Sequence, residues 1–197
     1  MITQEKFIKI KEKYGFWSSW AVWSEQGVTP KSNVGDLSIF DNNEILKILN
    51  PNVVFVGLNI SRGAISTPLA NFHDRRTEAT DFKIRYAFKD TQFWGGYMTD
   101  IIKDYDQVDS VKVMDFLKEN RDYELANINF FKSELNDIES IDPILIAFGS
   151  STQKILKRHF KNDLRIISVS HYAHFMSKET YRDEVINKVS IYNSLNN

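Results

Sequence analysis

Eight polar side chains stand at or near the ends of strand-like runs. Asn59 and Ser61 follow Val53-Val54-Phe55-Val56-Gly57-Leu58, and Thr99 and Asp100 sit in the shorter, more polar run Gly95 to Lys103. Ser150 and Ser151 follow Pro143-Ile144-Leu145-Ile146-Ala147-Phe148-Gly149, and His171 and His174 follow Arg165-Ile166-Ile167-Ser168-Val169-Ser170. These groups offer amide, hydroxyl, carboxylate and imidazole functions suited to hydrogen bonding. Each has a plain local use as well. Asn59 could close a loop, Asp100 could cap a helix, Ser150 and Thr152 could cap the helix that follows them, and His171 could be a satisfied loop histidine. Their convergence is what would make them a site.

Several chemistries are set aside by spacing. Gly57-Leu58-Asn59-Ile60-Ser61-Arg62-Gly63 matches neither GxGxxG nor GxxxxGK[ST], so phosphate cradling by a dinucleotide fold or a P-loop is not expected. No GxSxG elbow is present for a serine hydrolase. His73-Asp74 and His171-Tyr172-Ala173-His174 are the local metal candidates, without HExxH-like spacing, so no metal and no other cofactor is expected.

The elements that must position these residues are readable in outline. Continuous β-branched and aromatic runs at 53–58, 143–149 and 165–170 have the pattern of strands covered on both faces. Helices are predicted over residues 2–14 (ended by Gly15), 41–49 (opened by Asp41 and stopped by Asn50-Pro51) and about 77–89. Two more are predicted within 109–138, one after Gly149 and one over about 178–192. Trp17, Trp20 and Trp23 recur every third residue; a core wall is favoured over a base-stacking surface. Alternating strands and helices predict an α/β chain, a three-layer α/β/α fold with a mostly parallel central sheet. One domain is expected over 1–197, with N-terminal helices and an aromatic segment in 1–49 and the sheet core in 50–192. Ligands of such a sheet bind at the carboxyl ends of its strands, where the polar groups cluster.

Composition narrows the partners. The 197 residues are 42% hydrophobic and 13% aromatic, enough for a core without staples. Cysteine is absent, which excludes disulfides, thiolate metal sites, thiol nucleophiles and cysteine-ligated clusters. With 25 basic against 26 acidic residues the net charge is −1, so DNA would have to be met by one basic edge rather than by bulk charge. The chain shows no apolar leader and no long apolar span, and is expected to be a cytoplasmic monomer that does not engage membranes.

The order of motifs resembles the uracil-DNA glycosylase superfamily over about residues 50–190: a strand ending in Gly57-Leu58-Asn59, then Gly96-Tyr97-Met98-Thr99-Asp100-Ile101-Ile102-Lys103, then Ile146-Ala147-Phe148-Gly149 before a helix, then a strand ending in Ser170-His171. The resemblance implies a glycosylase-like fold and a DNA partner. It implies that Asn59 positions the water, Phe72 stacks on the flipped base, Asp100 reads the base edge and His171 stabilises the departing base. Ser61 and His174 join the substrate-binding set. Arg62, Ser150, Ser151, Lys154 and Lys178 would meet DNA, and Phe175 or Met176 would fill the gap left in the stack.

Such chemistry suits these residue types. Breaking an N-glycosidic bond puts negative charge on the base, so a donor there matters more than a strong nucleophile, and the base must first be flipped out. Ile60-Ser61 and Tyr172-Ala173-His174 depart from the proline- and glycine-containing motifs of the superfamily. Asp100 stands where many relatives carry asparagine. A carboxylate only accepts, which suits the amino group of cytosine over the edge of uracil. Since excising ordinary cytosine would destroy the host genome, the expected target is a modified cytosine, such as the hydroxymethylated or glucosylated bases of some phage DNA, in a defence role. A non-catalytic nucleic-acid-binding domain and a hydrolase of free nucleosides or nucleotides remain as alternatives.

Overall fold

The β-branched runs become the centre of a five-stranded sheet. In the computed structural model, which describes residues 2–61, 63, 65–160 and 165–196, the strands are β1 (Ser18–Trp20), β2 (Asn50–Asn59), β3 (Gly96–Ile102), β4 (Ile144–Phe148) and β5 (Ile166–Val169). The described helices are α1 (Gln4–Tyr14), α2 (Phe82–Phe88), α3 (Ser110–Glu119), α4 (Arg121–Asp137), α5 (Ser150–His159) and α6 (Lys178–Asn196). The sheet order is β1-β3-β2-β4-β5, parallel except for β1, which runs antiparallel to β3. The expected α/β chain with a mostly parallel central sheet is therefore observed.

Alternation along the strands divides the core in two. Val54, Val56, Tyr97, Ile101, Leu145 and Ala147 pack beneath α1, α3, α4 and α5, through residues such as Ile10, Val113, Phe131 and Ile155. On the other face Phe55, Met98, Ile146, Phe148, Ile167 and Val169 meet α2 and α6 through Ile84, Phe88, Tyr181 and Val185. With apolar side chains pointing both ways, the sheet must be covered on both sides.

Three local expectations are corrected. The helix over 41–49 is instead two short 3-10 helices, Leu37–Asp41 and Asn43–Lys47, capped by Asp36 and Asn42, so Asp41 ends one turn rather than opening a helix. Strand β2 begins at Asn50 and tolerates Pro51 because its register against β3 shifts between Asn50 and Val54. The helix placed at about 77–89 is only Phe82–Phe88. Strand β1 escaped notice because three residues are too few to show periodicity.

The polar character of β3 has a structural cause. All seven of its residues are buried, and its successor Lys103 is only 4% exposed. Lys103 Nζ sits 2.8 Å from Glu134 Oε2 on α4 and donates to Thr99 Oγ1 at 2.6 Å. The hydroxyls of Tyr97 and Thr99 donate to Glu134 Oε1 at 3.0 and 2.9 Å. Around this pair, the backbone N–H of Lys103 donates to Asn127 Oδ1 and its carbonyl accepts from Tyr123 OH, both at 2.6 Å. Removing one charge strands the other in the core. Lys103→Met is expected to destabilise by about 3–5 kcal/mol in urea unfolding. Lys103→Met with Glu134→Gln, which keeps an acceptor for the two hydroxyls, should recover at least half of that loss; a double variant no more stable than the single would refute this account.

Candidate functional site

At the carboxyl end of the sheet, Gly57 lies opposite Asp100 in the β2–β3 register. A side chain on Gly57 would collide with Asp100 Oδ1, and its Cβ would lie 3.2 Å from Phe72 Cζ. Glycine thus opens the space in which the carboxylate and the Phe72 ring come together. Asp100 is 4% exposed and accepts a hydrogen bond from Asn71 Nδ2 at 2.9 Å through Oδ2. Burial lifts its pKa to about 6, against the opposing pull of Asn71 and Lys103. Its neighbour Thr99 points to the opposite face, as strand alternation requires, and serves the Lys103–Glu134 network. Asp100 lies within β3 and caps no helix.

A group of rings packs together around Phe72. Phe72 lies 6.1 Å from Phe148 and 6.4 Å from Tyr172, the Phe148 and Tyr172 rings are 5.2 Å apart and near perpendicular, and His171 stacks on Tyr172 at 4.4 Å. Phe72 is 5% exposed. His171 accepts the Ala173 N–H at Nδ1, 3.1 Å away. That bond assigns the ring proton to Nε2, leaving a neutral donor. Burial, with a smaller push from His174, holds the imidazole pKa down at about 4. Gly149 is favoured here by its backbone: its φ of +87°, which L side chains rarely adopt, turns β4 into α5, while a Cβ would make only ordinary contact with His171 Cβ at 3.6 Å.

Asn59 ends β2 and donates both amide hydrogens, to the carbonyls of Tyr105 and Gln107 at 2.8 Å each. Two carbonyl partners fix the amide orientation and leave Oδ1 as its acceptor. Asn59 therefore clips the loop after β3 while keeping the oxygen that could orient a water.

The remaining expected residues are dispersed. Ser61 is partly exposed just beyond Asn59, and Arg62 lies outside the described residues. Ser150 and Ser151 begin α5, but neither caps it; Gly149 occupies the cap position, and Thr152 bonds back to the Phe148 carbonyl. Lys154 is on the exposed face of that helix. In the loop after β5, His174 is exposed, and its carbonyl receives Lys83 Nζ at 3.0 Å. Phe175 stands fully in solvent, whereas Met176 packs against the core under α2 and α6. Lys178 lies over the Tyr86 ring at 3.9 Å and pairs with Glu179, directed at α2.

Sequence spacing did not reveal Asn71, Asp81 or the part played by Tyr172. Asn71 reaches Asp100 across 29 residues of chain. Asp81 is buried, accepts the Asp74 N–H at 2.8 Å, and has a pKa lifted to about 7 chiefly by burial, with the Asp100 charge adding to it. Only the adjacency of Asn71 to Phe72 hinted at any of these. His73 is a core residue: it is 3% exposed, its ring nitrogens face the Val34 and Trp20 carbonyls, and its ring packs on Trp23.

Among the described residues no three His, Asp or Glu side chains gather to hold a metal ion, and no helix is long and apolar enough to cross a membrane. Compared with family models, with curated proteins and with solved structures, the chain matches none.

The raised Asp100 pKa has a stability signature. Between about pH 4 and 6 the folded carboxyl keeps a proton that the unfolded chain gives up, so its contribution to stability falls as pH rises through that window. Asp100→Asn removes this dependence. Relative to the unsubstituted protein, the variant should gain about 1 kcal/mol between pH 5 and pH 8 in urea unfolding; a constant difference across that range would contradict the assignment.

Proposed function

We infer that the chain is a metal-independent DNA glycosylase, a divergent relative of the uracil-DNA glycosylase superfamily, that flips a pyrimidine and hydrolyses its bond to deoxyribose. The observation that carries this reading is the grouping of Asp100, Phe72 and the ring cluster ending in the neutral His171 at the carboxyl end of the sheet.

Each part has a chemical use. The His171 Nε2–H can donate to the base oxygen on which negative charge develops, and a neutral imidazole does so without first surrendering an ion pair. Asn59 Oδ1 orients the water that meets the electron-poor sugar carbon; weak activation suffices for such a centre. Phe72 supplies a ring for the flipped base, and exposed Phe175 supplies a wedge for the vacated stack. Above its pKa of about 6, Asp100 is an acceptor suited to the amino group of a cytosine-type base. A hydroxymethylated or glucosylated cytosine in phage DNA fits this reading, with the protein acting as a monomer in cytoplasmic defence.

A second reading, a nucleic-acid-binding domain without catalysis, draws on one observation. Tyr172 packs against Phe72 and Phe148, so a base can reach Phe72 only if the Tyr172 ring moves aside.

The readings separate in one assay. Duplex and single-stranded DNA carrying uracil, cytosine, 5-hydroxymethylcytosine or its glucosylated form is incubated with the protein and scored for alkali-labile abasic sites. Cleavage at a modified cytosine is expected, lowered at least about 100-fold by His171→Ala and by Asn59→Ala. Asp100→Asn is expected to shift preference toward uracil. DNA binding without abasic sites would favour the second reading, and release of base only from free nucleosides would make the chain a nucleoside hydrolase. Because His171 is already neutral well below pH 6.5, excision should not fall as pH rises from 5.5 to 7.5. A loss centred near 6.5 would mean that an imidazolium is required.

A further inference from the structure

The third tryptophan of the N-terminal series leads to the other end of the sheet. Trp23 follows β1 and Trp94 precedes β3, and the two rings, 5.4 Å apart and tilted by 50°, help line a cavity of about 250 Å³. Tyr86 adds a third aromatic wall. Arg85, Lys89 and Arg182 also line it, together with the exposed carboxylates of Glu25 and Asp90.

One feature of this cavity is not explained by packing. Arg85 is 4% exposed, and its guanidinium is held by the Ser24, Pro30 and Ser32 carbonyls at 3.2, 2.7 and 2.8 Å. Arg182 is held by the Tyr86 and Lys89 carbonyls. Among the described residues neither arginine has a carboxylate within ion-pair distance, whereas Lys89 meets Glu25 at 3.3 Å. Carbonyls orient the two guanidinium groups; Glu25 is close enough to act on the Arg85 charge, so Arg182 is the one left without a carboxylate.

We propose that this cavity binds a nucleoside monophosphate, with the base among Trp23, Trp94 and Tyr86 and the phosphate toward Arg182 and Lys89. The space exceeds the roughly 150 Å³ in which an apolar protein cavity holds benzene, so a nucleobase with part of its sugar is admitted. Aromatic walls stack on any base, and a phosphate answers the Arg182 charge beside Lys89. The site is separate from Asn59, Asp100 and His171 and does not rest on excision there.

The test is a titration of the full chain with dCMP and with dAMP, read by quenching of tryptophan fluorescence and by calorimetry. Inorganic phosphate and free cytosine serve as separate arms. Saturable quenching is expected, with a nucleotide affinity at least about tenfold above that of phosphate or base alone. Lys89→Glu, at an exposed position that threatens no packing, should weaken binding about tenfold, and Arg182→Gln likewise, with a thermal melt confirming that it folds. Absence of saturable binding, phosphate binding as tightly as nucleotide, or an affinity unchanged by Lys89→Glu would overturn the proposal. So would nucleotide binding that survives Lys89→Glu and vanishes in His171→Ala, which would locate the nucleotide at the excision site.

Discussion

The ion pair between Lys103 and Glu134 is the constraint around which the sheet is built. It joins β3, whose residues are all buried, to α4, and both charges are nearly sealed from solvent at 5% and 0% side-chain exposure. Such a pair stabilises little in itself, because taking both charges out of water costs about as much as their attraction returns. Its consequence is geometric. With Tyr97 and Thr99 also bound to Glu134, one face of β3 is held in a single register against α4, and alternation obliges Asp100 to face the other way.

From that orientation the carboxyl-end site follows. Asp100 meets the bare backbone of Gly57, receives Asn71 and lies near the Phe72 ring, in surroundings dry enough to raise its pKa to about 6. The neighbouring histidine is displaced in the opposite direction by the same physics: burial penalises whichever form is charged, so the carboxyl tends to keep its proton and the imidazole to remain without a second one. With the carboxyl raised to about 6 and the imidazole lowered to about 4, the arrangement is divided, a neutral donor on one side and a tunable acceptor on the other.

The two ends of the sheet differ in kind. At the carboxyl end, rings pack on one another near a carboxylate, and Tyr172 fills the space beside Phe72. At the amino end, rings and guanidinium groups stand around an open cavity. A near-zero net charge hides this contrast, because what a ligand meets is the local balance, not the total.

How much was legible follows from the range of each interaction. The runs at 53–58, 143–149 and 165–170 declared themselves as buried strands, since β-branched residues on both faces require cover on both faces, and the alternation of strands with helices implied a mostly parallel sheet. Asn59, Asp100 and His171 could be placed near strand ends for the same local reason. Short-range cues failed where the competing signal was also short-range: Asp41 looked like a cap while Asp36 and Asn42 do the capping, and β1 was too brief to show a period. By itself the sequence determined the long buried strands and most of the helices, because that choice rests on neighbours a few residues apart. Only the tertiary structure decided that Thr99 belongs to Glu134, 35 residues away, that Asp100 belongs to Asn71, and that Trp23 borders a cavity while Trp20 lies in the core. Those choices depend on which elements are stacked face to face, and no periodicity within one segment encodes the side chain it will meet on another.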